Sequence, residues 1–330
     1  MTATGAQTRE MRWLPSRSAV VLCALALLTL SSIAAFLLLG AQGSWSFVLA
    51  FRGKRLFALM LVATAIAVST VLFQTVTNNR ILTPSIMGFD ALYILVQTGV
   101  VFFLGVSALA VTDPTTRYLG EVVIMAGFAW FLFRWLFLGE ERSLHLLVLV
   151  GIVFGILFRS ISNFLQRILD PNAFQVLQDA LFASFHSVDT TLLGISAFLL
   201  LAVAVVLWRI SHTFDVLALG RAQAISLGVD YPRTVMTILM AVAILVAVST
   251  ALVGPITFFG LLVASLARTF LGDSQHRHVL PAAVLLGIIA LVGGQAVLER
   301  VFSFDTALSI IVEFLGGLVF IVLIVRGAAR

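Results

Sequence analysis

The feature that most constrains this sequence is its succession of apolar stretches, most of them long enough to cross a lipid bilayer. A membrane-spanning helix needs about 20 mostly apolar residues. Ten stretches meet or approach that length: 18–40, 55–76, 88–110, 118–138, 143–166, 189–210, 234–254, 256–270, 279–298 and 307–326. The eighth is short enough to be half of a broken helix, and the third is the most polar, carrying Asp90 and Gln97. Each polar gap between stretches is smaller than the roughly 50 residues that a folded soluble domain needs. The expected organisation is therefore an N-terminal tail, 1–17, and a single transmembrane domain, 18–330. The expected fold class is all-α, a polytopic membrane protein with about ten transmembrane helices.

Composition closes off the alternatives. The chain is 61% hydrophobic and 11% charged, against about 25% charged in soluble domains. It has too little polar surface for an ordinary cytosolic enzyme and too much apolar surface for a disordered chain. A net charge of +5, with its basic residues scattered between apolar runs, is not a nucleic-acid footprint. Transmembrane β-barrels need alternating polarity, and runs such as Leu199–Val206 are continuously apolar. Arg9, Arg12 and Arg17 precede the first stretch as in a signal peptide. That stretch is longer than a signal core of about 7–15 residues, so it reads as an uncleaved span. Cys23, the single cysteine, permits neither an internal disulfide nor a thiolate cage.

Alternating ten spans from an inside N-terminus puts 13 of the 20 Lys and Arg residues inside and 7 outside, Arg159 and Arg167 among the latter. That bias places both termini in the cytoplasm. The cluster Arg52, Lys54 and Arg55 is an exception on the outside. No GxxxxGK[ST] phosphate loop, HExxH helix or GxSxG elbow occurs. His276 and His278 read as part of a solvated loop, 272–278, rather than as metal ligands. Of the acids near apolar stretches, Glu121 and Glu299 fall near predicted helix ends and are expected at the membrane interface. Glu313 is deeper and must face a cavity, a partner or a helix contact. No chain of carboxylates crosses the membrane, which argues against a proton- or sodium-driven carrier. The chain is expected to move something rather than transform it.

Three polar segments carry a resemblance. Residues 217–231 read Leu-Ala-Leu-Gly-Arg-Ala-Gln-Ala-Ile-Ser-Leu-Gly-Val-Asp-Tyr. Residues 250–268 read Thr-Ala-Leu-Val-Gly-Pro-Ile-Thr-Phe-Phe-Gly-Leu-Leu-Val-Ala-Ser-Leu-Ala-Arg. Residues 79–90 read Asn-Arg-Ile-Leu-Thr-Pro-Ser-Ile-Met-Gly-Phe-Asp. In this order and spacing they resemble the permeases of iron-chelate uptake ABC transporters, a family that also includes cobalamin and haem importers. The likeness spans about residues 45–330, and the third segment further resembles permeases for ferric catecholate-type siderophores.

The resemblance implies the cobalamin-importer permease fold and a two-permease core in a bacterial inner membrane, with spans five and ten at the dimer interface. Two ATPase subunits would dock inside and a siderophore-binding protein outside. The chain itself would be no enzyme. ATP and Mg would sit on the partner ATPase, no cofactor or metal in this chain, and iron only within the transported chelate. The resemblance also assigns candidate residues. The segment 215–232 would couple to the ATPase through Gly220, Arg221, Ala222, Ala224, Leu227 and Gly228. Arg221 stands where an acidic residue is frequent in the family. Arg52, Lys54 and Arg55, with Arg300, would receive the binding protein on an outer loop. Gly53 and Lys54 replace a usual Leu-Pro there, which implies a more flexible loop. Proline disfavours helix at the residue before it, so Gly254 and Pro255 should break spans seven and eight apart, either to line a pathway or as a plain connection. Glu313 is the remaining pathway candidate. Alternatives are the same machine carrying cobalamin or haem, or a secondary carrier or intramembrane enzyme without an ATPase.

Overall fold

The computed structural model describes residues 17–39, 45–137, 144–182, 185, 189–272, 275–301 and 308–325. The expected N-terminal tail lies almost wholly outside them. The helices in chain order are α1 (Arg17–Leu38), α2 (Trp45–Val76), α3 (Phe89–Leu104), α4 (Ser107–Val111), α5 (Pro114–Phe137), α6 (Leu144–Ile168), α7 (Pro171–Leu181) and α8 (Thr190–Arg209). They continue as α9 (Phe214–Leu217), α10 (Arg221–Ser226), α11 (Tyr231–Val253), α12 (Phe259–Leu271), α13 (His276–Ile288), α14 (Gly294–Val301) and α15 (Leu308–Val325). Among the described residues there is no strand.

Among the described residues, seven helical segments are long and apolar enough to cross a membrane: α1, α2, α5, α6, α8, α11, and α13 running on into α14. The apolar helices α3 and α12 are shorter, and α15 has 18 residues. These are the ten spans expected. The chain is a multi-pass, all-α membrane protein.

Two spans form the centre. The membrane windows of α2 and α11 are each 67% buried, against 17% for α1 and α6, and α2 and α11 pack on each other. The reason is side-chain size. Ala58, Ala63, Ala65 and Ala67 on α2 and Ala241, Ala243 and Ala247 on α11 are all buried. Between membrane helices, small residues let backbones approach and maximise van der Waals contact.

The spans are tied at two ends of the bundle. At one end, Arg55 of α2 forms an ion pair with Glu299 of α14. Asp189 caps α8 there, accepting from Thr191 N at 2.6 Å. That bond holds its carboxyl below the usual carboxylate range, and the Lys54 charge adds to the effect. At the other end, Gln74 of α2 accepts from Arg268 of α12, and Thr75 Oγ1 lies 2.6 Å from His276 Nε2 of α13. Arg55 and Thr75 are 20 residues apart on α2, about 30 Å of helix, which is one hydrocarbon thickness.

Three expectations need correction. The basic cluster at 52–55 is not a flexible loop but part of α2, which begins ten residues earlier than expected, at Trp45. With 32 residues it is about 48 Å long, so one end projects past the bilayer core. Within it, Arg52 Nη1 donates to the carbonyls of Phe36, Leu37 and Leu39 at 3.2, 3.1 and 2.9 Å. It thereby satisfies the carbonyls at the end of α1, where a cation is also favoured by the helix dipole. His276 is not solvated: it is buried at the first position of α13. Glu121 is not interfacial either. It is buried inside the bundle, where Gln97 Nε2 donates to it at 2.6 Å and Arg117 lies 3.5 Å away.

Candidate functional site: a central cavity and an exposed connector

Two of the three polar segments meet in the middle of the bundle. After α2 the chain turns back on itself through Asn78, whose φ is +48°. A short helical turn, Pro84–Met87, then ends at Gly88 with φ +87°. Only glycine fits Gly88. A Cβ there would lie 2.9 Å from the Cα and N of Gly155 on α6, and Gly151 meets Met87 Cα equally closely. These glycines let the 84–88 turn lie directly on α6, and α3 starts from it.

The second segment reaches the same place by its own break. Gly254 ends α11 with φ +96°, backbone that glycine permits, Pro255 disfavours continuing the helix through it, and α12 begins only at Phe259. In the gap, Thr257 Oγ1 donates to Asp90 Oδ2 at 3.2 Å and Thr257 N donates to Glu313 Oε1 at 3.1 Å. Gly316 of α15 packs on Phe258. The sequence-predicted residues Gly254, Pro255 and Glu313 therefore converge, and with them come Asp90 and Thr257. Asp90 shares a pocket of about 20 Å³ with Ile66, Thr70 and Thr250, room for one water. Thr70 is six residues from the end of α2 at Val76, about 9 Å in, so the cluster lies within the membrane.

The cluster borders a cavity of about 550 Å³, lined by Thr83, Ser85, Gly88, Asp90, Gly155, Arg159, Ser160, Asn163, Thr257 and Phe258 among others. Irregular backbone at membrane depth is tolerated where it is buried in protein or lines such a cavity. Sequence reasoning missed Arg159 by counting it with the outside residues, although it falls inside the expected span 143–166; it lies on α6 within the span and lines the cavity. Among the described residues, no three His, Cys, Asp or Glu come together to hold a metal.

The third segment, 217–231, lies at the Thr75 end of the bundle. Gly220 (φ +98°) precedes α10 and Gly228 (φ +85°) follows it, so both ends of this short helix use backbone that side chains resist. Ala224 is fully buried, whereas Leu219, Ile225 and Leu227 are more than half exposed. Ala222 is also exposed, and Arg221 lies over the Tyr231 ring at 5.9 Å. The connector is thus anchored by Ala224 and presents an apolar surface. It is also bolted to the spans: Asp215 accepts from both His276 N at 2.9 Å and His276 Nδ1 at 2.6 Å.

The structure does not bring the connector and the basic cluster together; they lie at opposite ends of α2. Lys54 is exposed there, while Arg52 and Arg55 are engaged within the chain. The side chain of Arg300 lies outside the described residues.

A ten-span bundle with a broken-helix cavity and an exposed connector at one end defines a membrane transport permease. The chain belongs to the FecCD transport family, which matches residues 17–326. It is 49% identical over 284 residues to the petrobactin import system permease protein YclO of Bacillus subtilis, covering 86% of this chain and 90% of that protein. It is 38% identical to the petrobactin import system permease protein FatC of Bacillus anthracis, over 82% of this chain and 77% of that one. It is 28% identical to the vitamin B12 import system permease protein BtuC of Vibrio cholerae, over 97% and 96%. The fold is that of a metal-chelate type ABC transporter solved in an inward-facing conformation, with TM-score 0.82 over 93% of this chain and 99% of that one, at 23% identity.

Proposed function

We propose that this chain is the permease subunit of an ATP-driven importer that carries a ferric siderophore, of the kind petrobactin represents, across a bacterial cell membrane into the cytoplasm. The observation that carries this reading is the identity of 49% and 38% to two petrobactin permeases, against 28% to a vitamin B12 permease. In this reading the chain is not itself an enzyme. Two ATPase subunits bind ATP and Mg, a second permease completes the pathway, and a siderophore-binding protein delivers the cargo. Both termini are cytoplasmic, so the Thr75 end of α2 faces inside and the Lys54 end outside.

The chemistry of each end supports that assignment. The exposed apolar residues Leu219, Ile225 and Leu227 suit insertion into a cleft on the ATPase. The bond from Asp215 to His276 would pass that movement to α13 and α2. At the other end Lys54 is an exposed cation for the binding protein. Arg52 and Arg55 contribute field there while holding α1 and α14. Exposed ion pairs are worth only about 0–1 kcal/mol each, so this surface steers and orients the partner. At the centre, Gly254, Pro255 and Glu313 form the wall that would shift as the pathway opens, with α6 and α15 towards the second permease.

Affinity purification from mild detergent, followed by mass spectrometry, tests the class of machine. An ABC ATPase at equal stoichiometry is expected. A preparation without ATPase, repeated after cross-linking in intact membranes, would contradict it.

A further inference from the structure

The spacing along α6 points to something the sequence reading did not assign. Gly151, Gly155, Arg159, Asn163 and Arg167 recur every fourth residue, so each lies next to the one before it while the series winds slowly around the helix, by about 40° per step. The first two seat the 84–88 turn. The next two line the central cavity. Asn163 and Arg167 then line an adjoining cavity of about 520 Å³, towards Pro171 and Phe174. The two cavities share Asn163 and so adjoin along the helix, with Arg159, Asn163 and Arg167 as charged and polar groups in walls that are otherwise mostly apolar.

Its direction follows from packing. Gly155 lies against Gly88, and Gln166 Nε2 donates to Thr98 Oγ1 at 3.0 Å, so α6 runs parallel to α3. α3 starts at the central cluster and leads away from the Thr75 end. Arg167 therefore lies towards the Lys54 end and Arg159 near the middle, about 12 Å deeper. Arg159 is exposed to the cavity and makes no hydrogen bond or ion pair among the described residues. Asp90, on which its charge acts, is buried and held by Thr257. An arginine at this depth is retained where it faces a water-filled path rather than lipid.

We infer that Arg159, Asn163 and Arg167 form a cationic track along α6, which draws an anionic metal chelate from the Lys54 end to the centre of the bundle. The choice of a ferric chelate as cargo rests on the function proposed above; the track itself rests on the geometry. Oxygen donors that together out-charge iron(III) leave a chelate anionic. Guanidinium and amide groups in a low-dielectric wall raise its local concentration without holding it tightly, since steering acts on approach.

Two measurements on the assembled transporter in proteoliposomes separate the track from the cargo. The first needs no cargo. In a Cys23→Ser background, Asn163→Cys gives this chain a single thiol, whose modification by a sulfonate-bearing or a trimethylammonium-bearing methanethiosulfonate is followed on the separated permease band. The sulfonate reagent should react faster, and Arg159→Gln should cut that preference by roughly fivefold or more. No reaction with either reagent, or a preference indifferent to Arg159, would overturn the track. The second is ATP-driven uptake of ⁵⁵Fe-petrobactin. Arg159→Gln should lower uptake about tenfold with ATP hydrolysis intact, and Arg159→Lys should restore most of it. Wild-type uptake in Arg159→Gln, or recovery when Asp90→Asn is added, would overturn the proposal, the latter by making Arg159 a mere counter-ion. If Arg159→Gln does not assemble, Arg167→Gln gives the same reading from the exposed end. Sulfonate preference without petrobactin uptake by the wild type would reject the cargo and support the track.

Discussion

His276 holds Asp215 through both its ring and its backbone: one carboxylate oxygen lies 2.6 Å from Nδ1 and 2.9 Å from the amide nitrogen. The same imidazole reaches Thr75 Oγ1 at 2.6 Å from its other nitrogen. The ring thus joins the connector before α10 to two of the spans. His276→Ala should leave basal ATP hydrolysis by the assembled complex in place and reduce transport per ATP. It should also cost about 1–3 kcal/mol of stability, since buried polar partners lose their bonds. The ratio of ⁵⁵Fe uptake to phosphate released checks the first point, and thermal unfolding in detergent the second. An unchanged ratio would remove His276 from coupling.

The contact of Gly88 with Gly155 makes a packing prediction. Gly155→Ala places a Cβ 3.1 Å from Gly88 Cα, and neither backbone has a flexible end to give way. Overpacking of this kind costs about 1–3 kcal/mol. Gly88→Ala should cost more, because it adds the strain of φ +87°. Gly127→Ala on α5 has nothing within 4 Å and should be neutral. Unfolding temperatures of the three variants decide the order.

Gly260 and Thr70 offer a paired test. A Cβ on Gly260 would fall 2.0 Å from Thr70 Oγ1, so Gly260→Ala should destabilise the bundle by about 1–3 kcal/mol. Thr70→Ala removes that oxygen, and the double variant should recover part of the loss, a coupling of about 0.5 kcal/mol or more. Simple additivity in unfolding measurements would mean that α12 does not sit on α2 as described.

At the opposite end, structure and docking separate by residue. Arg55→Ala breaks the pair with Glu299, whose side chains are 12% and 24% exposed, and should cost about 1–3 kcal/mol of stability. Lys54→Glu should leave stability unchanged and slow association with the siderophore-binding protein, an effect that fades as salt rises. Surface-plasmon association rates at two salt concentrations check it. A stability loss in Lys54→Glu, or none in Arg55→Ala, would reverse these roles.

The spans were legible because lipid imposes their length and apolarity on the sequence directly. What was hidden depended on partners far away in sequence. Arg52 and Arg55 look like an outer loop, and only the α1 carbonyls and Glu299 explain why they are helical. The α7 helix is short and amphipathic, so no apolar run marks it. His276 sits in a polar stretch, and its burial comes from Asp215 and Thr75, 61 and 201 residues distant. The Gly254-Pro255 break was readable from proline chemistry. That it delivers Thr257 to Asp90 and Glu313 was not.

The most direct measurement is accumulation of ⁵⁵Fe-petrobactin by proteoliposomes holding this permease with its ATPase and binding protein. Accumulation that requires ATP, and that a bulky substitution at the exposed Gly228 abolishes without loss of assembly, is the expected result. Accumulation of vitamin B12 instead, uptake independent of ATP, or full transport with Gly228 substituted would contradict it.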